Sequence, residues 1–305
     1  MWIAIIAILI YSVAGYWVVS NFEIPPIRGM AWLFILLAAV CQIGAMWFFG
    51  LLFKDSLQEI GGDITQWEGF KAALVGAGVA RLIPVGGAIT PVAMAWTVRN
   101  EKAEATGPAL RAVLLNYAGM LIMAGVGLLV ARPTGAAQVF GIGLVVLAPF
   151  ALLGGSMLMF GSGRLKSLNR YLPRFVRERL ASSVADHAPT FKTQLYVWGR
   201  LALEVAAMWC VFHAFQIDLG PFQAMAVFAA SALFGGLPGT PGGLGITEFG
   251  LALMLGAYGF RAADAAVAIL VYRVISYWLP AATVFLAGGT TFLRSDEATE
   301  AETSA

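Results

Sequence analysis

Gly239-Thr240-Pro241-Gly242-Gly243-Leu244-Gly245-Ile246-Thr247-Glu248 interrupts an apolar stretch, 221–259, that is too long for a single membrane crossing. Proline removes a backbone donor and glycine widens the allowed dihedrals, so the stretch reads as two half-helices around a break. Residues 67–98 behave in the same way, with Ile83-Pro84-Val85-Gly86-Gly87 at their centre. The two breaks also align without a gap. Pro84-Val85-Gly86-Gly87-Ala88-Ile89-Thr90 lies on Pro241-Gly242-Gly243-Leu244-Gly245-Ile246-Thr247, and both read P-x-G-x-x-I-T.

Outward from the breaks, the chain is a series of apolar runs. They cover about 1–20, 30–53, 108–131, 138–160, 193–215 and 264–288. Each is long enough to cross the hydrocarbon layer as a helix. Of the 305 residues, 60% are hydrophobic and 12% charged, against about 25% charged in a soluble domain. The runs do not alternate, so helices rather than a β-barrel satisfy their backbone. The expected fold is all-α: a polytopic membrane bundle of about six full spans and two broken re-entrant helical hairpins. One transmembrane domain, 1–290, is followed by a disordered acidic tail, 291–305. The first run has no basic n-region and no small-residue cleavage site, so it reads as a helix that is kept. Cys41 and Cys210 lie singly inside apolar runs and read as packing residues.

Each break has one span before it and one after it, which gives two units of about 30–131 and 193–288. Loop charge sets their orientation. Residues 161–192 carry seven Lys and Arg against two acidic residues, which puts that loop in the cytoplasm. Counting from it, both termini are cytoplasmic, the first hairpin enters from the cytoplasm and the second from outside. That is an inverted repeat. Broken helices leave backbone groups that lipid cannot satisfy but a polar cavity at mid-depth can, and such cavities hold transporter substrates. The competing reading is that the glycines only let helices pack closely.

Ionisable side chains inside the spans point the same way, because each is costly in hydrocarbon. Arg200 and Glu204 are most simply an ion pair within one helix near its cytoplasmic end, the alternative being a substrate role. Glu248 and Arg273 either pair, holding the second hairpin to the last helix, or line the cavity, and the two roles are compatible. Arg81 either meets a ligand anion or reaches toward the interface. Tyr277 stands one turn beyond Arg273. The candidate substrate-binding set is therefore Arg81, Pro84, Gly86, Gly87, Thr90, Pro241, Gly242, Gly243, Thr247, Glu248, Arg273 and Tyr277.

The second break, together with Arg273 and Tyr277-Trp278-Leu279-Pro280, resembles the signature of the lysylphosphatidylglycerol synthase transmembrane-region family of flippase-like proteins. Arg81-Leu82-Ile83-Pro84 with Gly86-Gly87 fits the first break of that family. The resemblance runs over nearly the whole chain. It implies a bacterial or archaeal inner-membrane protein that moves lipid between leaflets. The soluble transferase domain of the aminoacyl-lipid enzymes is not expected here, because the sequence ends shortly after its last span.

Signals of catalysis are lacking. The two histidines, His187 and His213, form no H-E-x-x-H, and there is neither a P-loop nor a G-x-S-x-G elbow. A net charge of +2 does not suggest nucleic acid. The expectation is a transporter without cofactor or metal that carries a lipid with a charged headgroup. The rival readings are a membrane-embedded lipid-modifying enzyme with Glu248 as base, and an accessory subunit of a separate lipid-synthesising enzyme.

Overall fold

The computed structural model describes residues 20, 31–82, 86–98, 105–133, 138–160, 189–235 and 243–286. The first apolar run apart from Ser20, most of the basic loop, the acidic tail, Pro84, Pro241 and Gly242 lie outside the described residues. The elements in chain order are α1 (Ala31–Gln58), α2 (Gln66–Leu82), α3 (Gly86–Thr97), α4 (Thr106–Val130), α5 (Gln138–Phe160) and α6 (Phe191–Ala214). They continue with α7 (Pro221–Gly235), α8 (Ile246–Ala257), α9 (Ala262–Arg273), a π-helical turn (Val274–Trp278) and α10 (Leu279–Leu286). Every regular element among the described residues is helical.

Four of the helical stretches are long and apolar enough to cross a membrane: Ala31–Gln58, Thr106–Val130, Phe191–Ala214 and Asp264–Ala282. The chain is a membrane protein by that measure. The apolar part of α5, Ile142–Met157, is among the shorter helices, as are α7 and α8. On α1, Trp32, Leu36, Val40 and Ile43 are exposed at helical spacing while Ala38, Gln42, Ala45 and Phe49 on the opposite side are buried. A soluble helix would reverse part of that pattern. Here the outer face is apolar because its solvent is lipid, and the few buried polar groups mark the interior.

Helix starts follow from local chemistry. Thr65 and Glu68 form a capping box at α2: the Thr65 N–H donates to Glu68 Oε2 at 2.7 Å and the Glu68 N–H to Thr65 Oγ1 at 3.2 Å. Thr190 caps α6 by accepting from the Thr193 N–H at 3.2 Å. Pro221 occupies the first position of α7, where its missing N–H is not needed.

Both interrupted segments fold back on themselves: α2 packs on α3, and α7 on α8. The helices that follow the two interrupted segments then exchange partners, since α4 packs on α7 while α10 packs on α2. Helices α1 and α6 pack extensively along each other. Contacts at the helix ends sort the loops into two groups. At one end Lys192 Nζ lies 3.0 Å from Asp55 Oδ1, Thr193 donates to Asp55 Oδ2 at 2.6 Å, and Arg111 near the start of α4 pairs with Glu59. At the other end of α4 the Tyr258 hydroxyl donates to the Ala131 carbonyl at 2.7 Å, and Gly127 abuts Phe222 near the start of α7.

Glycine permits the closest helix approach. A Cβ on Gly50 of α1 would stand 2.6 Å from the carbonyl carbon of Gly69 in α2, and one on Gly69 would stand 2.7 Å from the Gly50 oxygen. Neither backbone can yield without moving its helix. Gly69→Ala is therefore expected to lower stability by about 1–3 kcal/mol, the cost of forcing volume into a filled contact. Gly143→Ala, where a Cβ meets nothing within 4 Å, is the control. Reversible unfolding in detergent micelles checks the pair, and equal stabilities for the two variants would contradict the close contact.

Candidate functional site

The halves of the two hairpins and the long helices surround a cavity of about 210 Å³. From the first half of the chain α1 contributes Gln42, α2 Arg81, α3 Thr90 and α4 Asn116; from the second, α6 contributes Arg200 and Glu204, α8 Thr247 and α9 Arg273. Gln42, Asn116, Arg200, Glu204 and Arg273 each fall within about one turn of the middle of their spans. The cavity is therefore at mid-depth, where hydrocarbon would otherwise surround these groups.

The second hairpin is closed by glycines. Gly243 has φ 70° and Gly245 φ 80°, left-handed values that a side chain strongly disfavours. A Cβ on Gly243 would stand 2.5 Å from the Gly235 carbonyl oxygen and 2.8 Å from Thr247 Oγ1. The tight turn therefore brings the end of α7 against the start of α8 and turns Thr247 to the cavity. Gly245 ends the turn as the N-cap of α8, and its N–H donates to Glu248 Oε2 at 2.7 Å. A carboxylate in the first turn also suits the helix dipole. Its other oxygen, Oε1, accepts from Arg273 Nε at 2.6 Å. Glu248 thus ties the hairpin to the last helix, and the cavity wall is formed by its partner Arg273, which also lies 4.9 Å over the Tyr277 ring.

Arg81 is anchored by a different device. The α-helical donor to the Ser276 carbonyl would be the N–H of residue 280, and residue 280 is proline, which has none. The helix widens to a π-turn there. Arg81 takes the carbonyl instead: Nε and Nη2 donate to the Ser276 oxygen at 3.1 and 2.8 Å, and Nη1 to the Ala77 oxygen at 2.5 Å. The Tyr277 hydroxyl returns a hydrogen bond to the Arg81 carbonyl at 2.5 Å. Among the described residues these bonds of the guanidinium go to neutral oxygens, so its charge remains available to the cavity.

Of the twelve residues singled out in the sequence, the structure brings Arg81, Thr90, Thr247 and Arg273 to the cavity wall. Glu248 and Tyr277 stand behind it, bonded to wall residues, and Gly243 shapes the turn. Gly86 and Gly87 form the first turn of α3. Pro84, Pro241 and Gly242 are outside the described residues.

Arg200 and Glu204 do pair, at 3.3 Å, but as part of the wall rather than as a simple ion pair near a helix end. Gln42 and Asn116 carry no charge and drew no notice in the sequence. One signal was available for Asn116. It stands 157 residues before Arg273, the spacing that relates Thr90 to Thr247 (273 − 116 and 247 − 90).

Residues 3–283 match the family model described as lysylphosphatidylglycerol synthase TM region, and the chain belongs to that family. The search of curated proteins gives no match.

The Glu248–Arg273 bond generates a specific expectation. Glu248→Ala removes the carboxylate partner of a buried guanidinium and is expected to cost about 2–3 kcal/mol, below the value for a fully enclosed pair because part of the glutamate remains exposed. Glu248→Ala combined with Arg273→Leu removes both charges and is expected to recover part of that loss. A double-mutant cycle by unfolding in micelles checks this, and a double variant that loses the sum of the two single losses would contradict it.

Proposed function

We propose that this member of the lysylphosphatidylglycerol synthase TM region family is a lipid transporter whose mid-depth cavity receives headgroups on their way between leaflets. The observation that carries the reading is the cavity wall itself. Three arginines, a glutamate and the two repeat-related threonines meet in a space surrounded by helices with apolar outer faces. Such groups are expensive at that depth unless they serve a polar occupant. The volume of about 210 Å³ suits a headgroup, whereas sites that enclose a drug-sized ligand span about 300–1,000 Å³. The acyl chains would stay in the lipid.

The two units act in this reading as an inverted repeat. The long–short–short–long element order recurs, α4 packs on the other unit's hairpin as α10 does on the first, and the hairpins' loops gather at opposite ends. An inverted pair offers two equivalent states of opposite access, which is how repeat transporters alternate. In the bacterial inner membrane the basic loop 161–192 would face the cytoplasm, as would both termini. No chemical step is assigned to the cavity, and a separate enzyme would supply or consume the lipid.

Proteoliposomes carrying headgroup-labelled phospholipid in both leaflets test the proposal through the fraction of label that an impermeant quencher can reach over time. Wild-type protein should render the inner-leaflet label accessible, and Thr247→Leu, which puts an apolar branch at the cavity wall, should slow that rate by about tenfold or more. Accessibility that stays at the protein-free level for anionic, zwitterionic and cationic lipids alike would overturn the transport reading.

A further inference from the structure

Arg200 is the least satisfied charge in the cavity. It is 8% exposed, and its Nη2 donates to Glu204 Oε1 at a long 3.3 Å. Its Nε and Nη1 have no hydrogen-bond partner among the described residues. The guanidinium stacks on Phe49, 3.7 Å from the ring centroid, so the ring fixes the plane of the group and shields one face. Such stacking orients the remaining N–H groups without using them. Gln42 Oε1 and Asn116 Oδ1, which belong to wall residues, are likewise buried with no partner among the described residues. Buried polar atoms of this kind belong with an occupant able to bond them.

The charge count narrows the occupant. Arg81, Arg200 and Arg273 face Glu204 in the wall and Glu248 behind it, leaving one positive charge in excess. The breaks, 83–85 and 236–242, contain no ionisable residue that could balance it. A single anion would neutralise the cluster. A zwitterion would leave the excess in place, and a dianion would reverse it. Guanidinium groups bind phosphate oxygens through paired, charge-assisted hydrogen bonds.

We propose that Arg200, with Arg81, forms a binding site for the phosphodiester of an anionic glycerophospholipid, and that the site prefers a headgroup of net charge −1 to a zwitterionic one. The inference rests on the cavity receiving headgroups, and it adds the chemical class. Arg200 is the primary ligand because its donors are open, and Arg81 contributes charge from a position already fixed by the Ser276 carbonyl. Gln42 Oε1 and Asn116 Oδ1 are within the same wall and accept from headgroup hydroxyls beside the phosphate.

Binding to purified protein in a neutral maltoside detergent tests the site, with dihexanoylphosphatidylglycerol as the anionic probe and dihexanoylphosphatidylcholine as the zwitterionic one. Wild-type protein should bind the anionic lipid at least about tenfold more tightly, and that comparison needs no variant. Arg200→Gln should erase the preference, whereas Arg200→Lys should keep part of it, since an ammonium retains the charge but not the fork. Inorganic phosphate and glycerophosphoglycerol, which lack acyl chains, should bind more weakly than the lipid.

Equal affinity for the two lipids overturns the proposal. A folded Arg200→Gln that keeps the wild-type preference does so too, and so does phosphate or glycerophosphoglycerol binding as tightly as the lipid. The outcome is separable from that for transport. Equal movement of anionic and zwitterionic probes in proteoliposomes would overturn the charge preference and leave transport standing. Selective binding without movement would do the reverse.

Discussion

Any polar group at the middle of a bilayer must find its partner inside the protein, because the surrounding lipid offers none. This fold is organised by that demand. Its long helices have apolar exteriors, and its mid-depth polar groups converge on a cavity where two interrupted hairpins meet. Arg81 shows how tightly the demand is met. A proline at position 280 deprives the Ser276 carbonyl of its α-helical donor, the helix opens into a π-turn, and a guanidinium from the other unit fills the place. A defect in one unit and a charge in the other thereby become a single joint.

The joint recurs in altered form on the other side of the cavity. Glu248 bonds the N-terminal turn of α8 and Arg273 of the last span at once, so the second hairpin is fixed to its neighbour by an ion pair where the first is fixed by carbonyls. Both devices leave guanidinium charge facing the cavity while holding the side chains that carry it. Rigid positioning of this kind matters for recognition, since an arginine that must be ordered on binding loses part of the energy it gains. The tight contacts of Gly243 with Gly235, and of Gly50 with Gly69, set the spacing that makes both joints possible.

Much of this was legible in the residues. The P-x-G-x-x-I-T pair located both breaks, and hydropathy gave α1, α4, α5, α6 and the last span to within a few residues. Arg81, Thr90, Thr247 and Arg273 were recognisable because each stands beside a break or carries charge within a span. Arg200 and Glu204 pair as their i, i+4 spacing suggests, but the sequence cannot reveal that the pair stands at mid-span in the wall, or that Arg200 stacks on Phe49 with two of its nitrogens unpartnered among the described residues. Gln42 and Asn116 had neither charge nor a break beside them, and only the helix packing brings them to the wall. The π-turn likewise depends on Arg81 being across from Ser276, a contact 195 residues away in the chain.

The account turns on whether the wall of that cavity is wet. In a background with Cys41 and Cys210 replaced by alanine, Thr90→Cys, Thr247→Cys and the lipid-facing Val146→Cys can each be exposed to a small water-soluble methanethiosulfonate in intact membranes. The thiolate attacks the sulfenyl sulfur of the reagent and expels methanesulfinate to leave a mixed disulfide, and that thiolate forms where water or positive charge is at hand and not in hydrocarbon. The cavity predicts that Thr90→Cys and Thr247→Cys react while Val146→Cys does not. If the two threonine positions are as inert as residue 146, no polar chamber lies between the hairpins and the account is wrong.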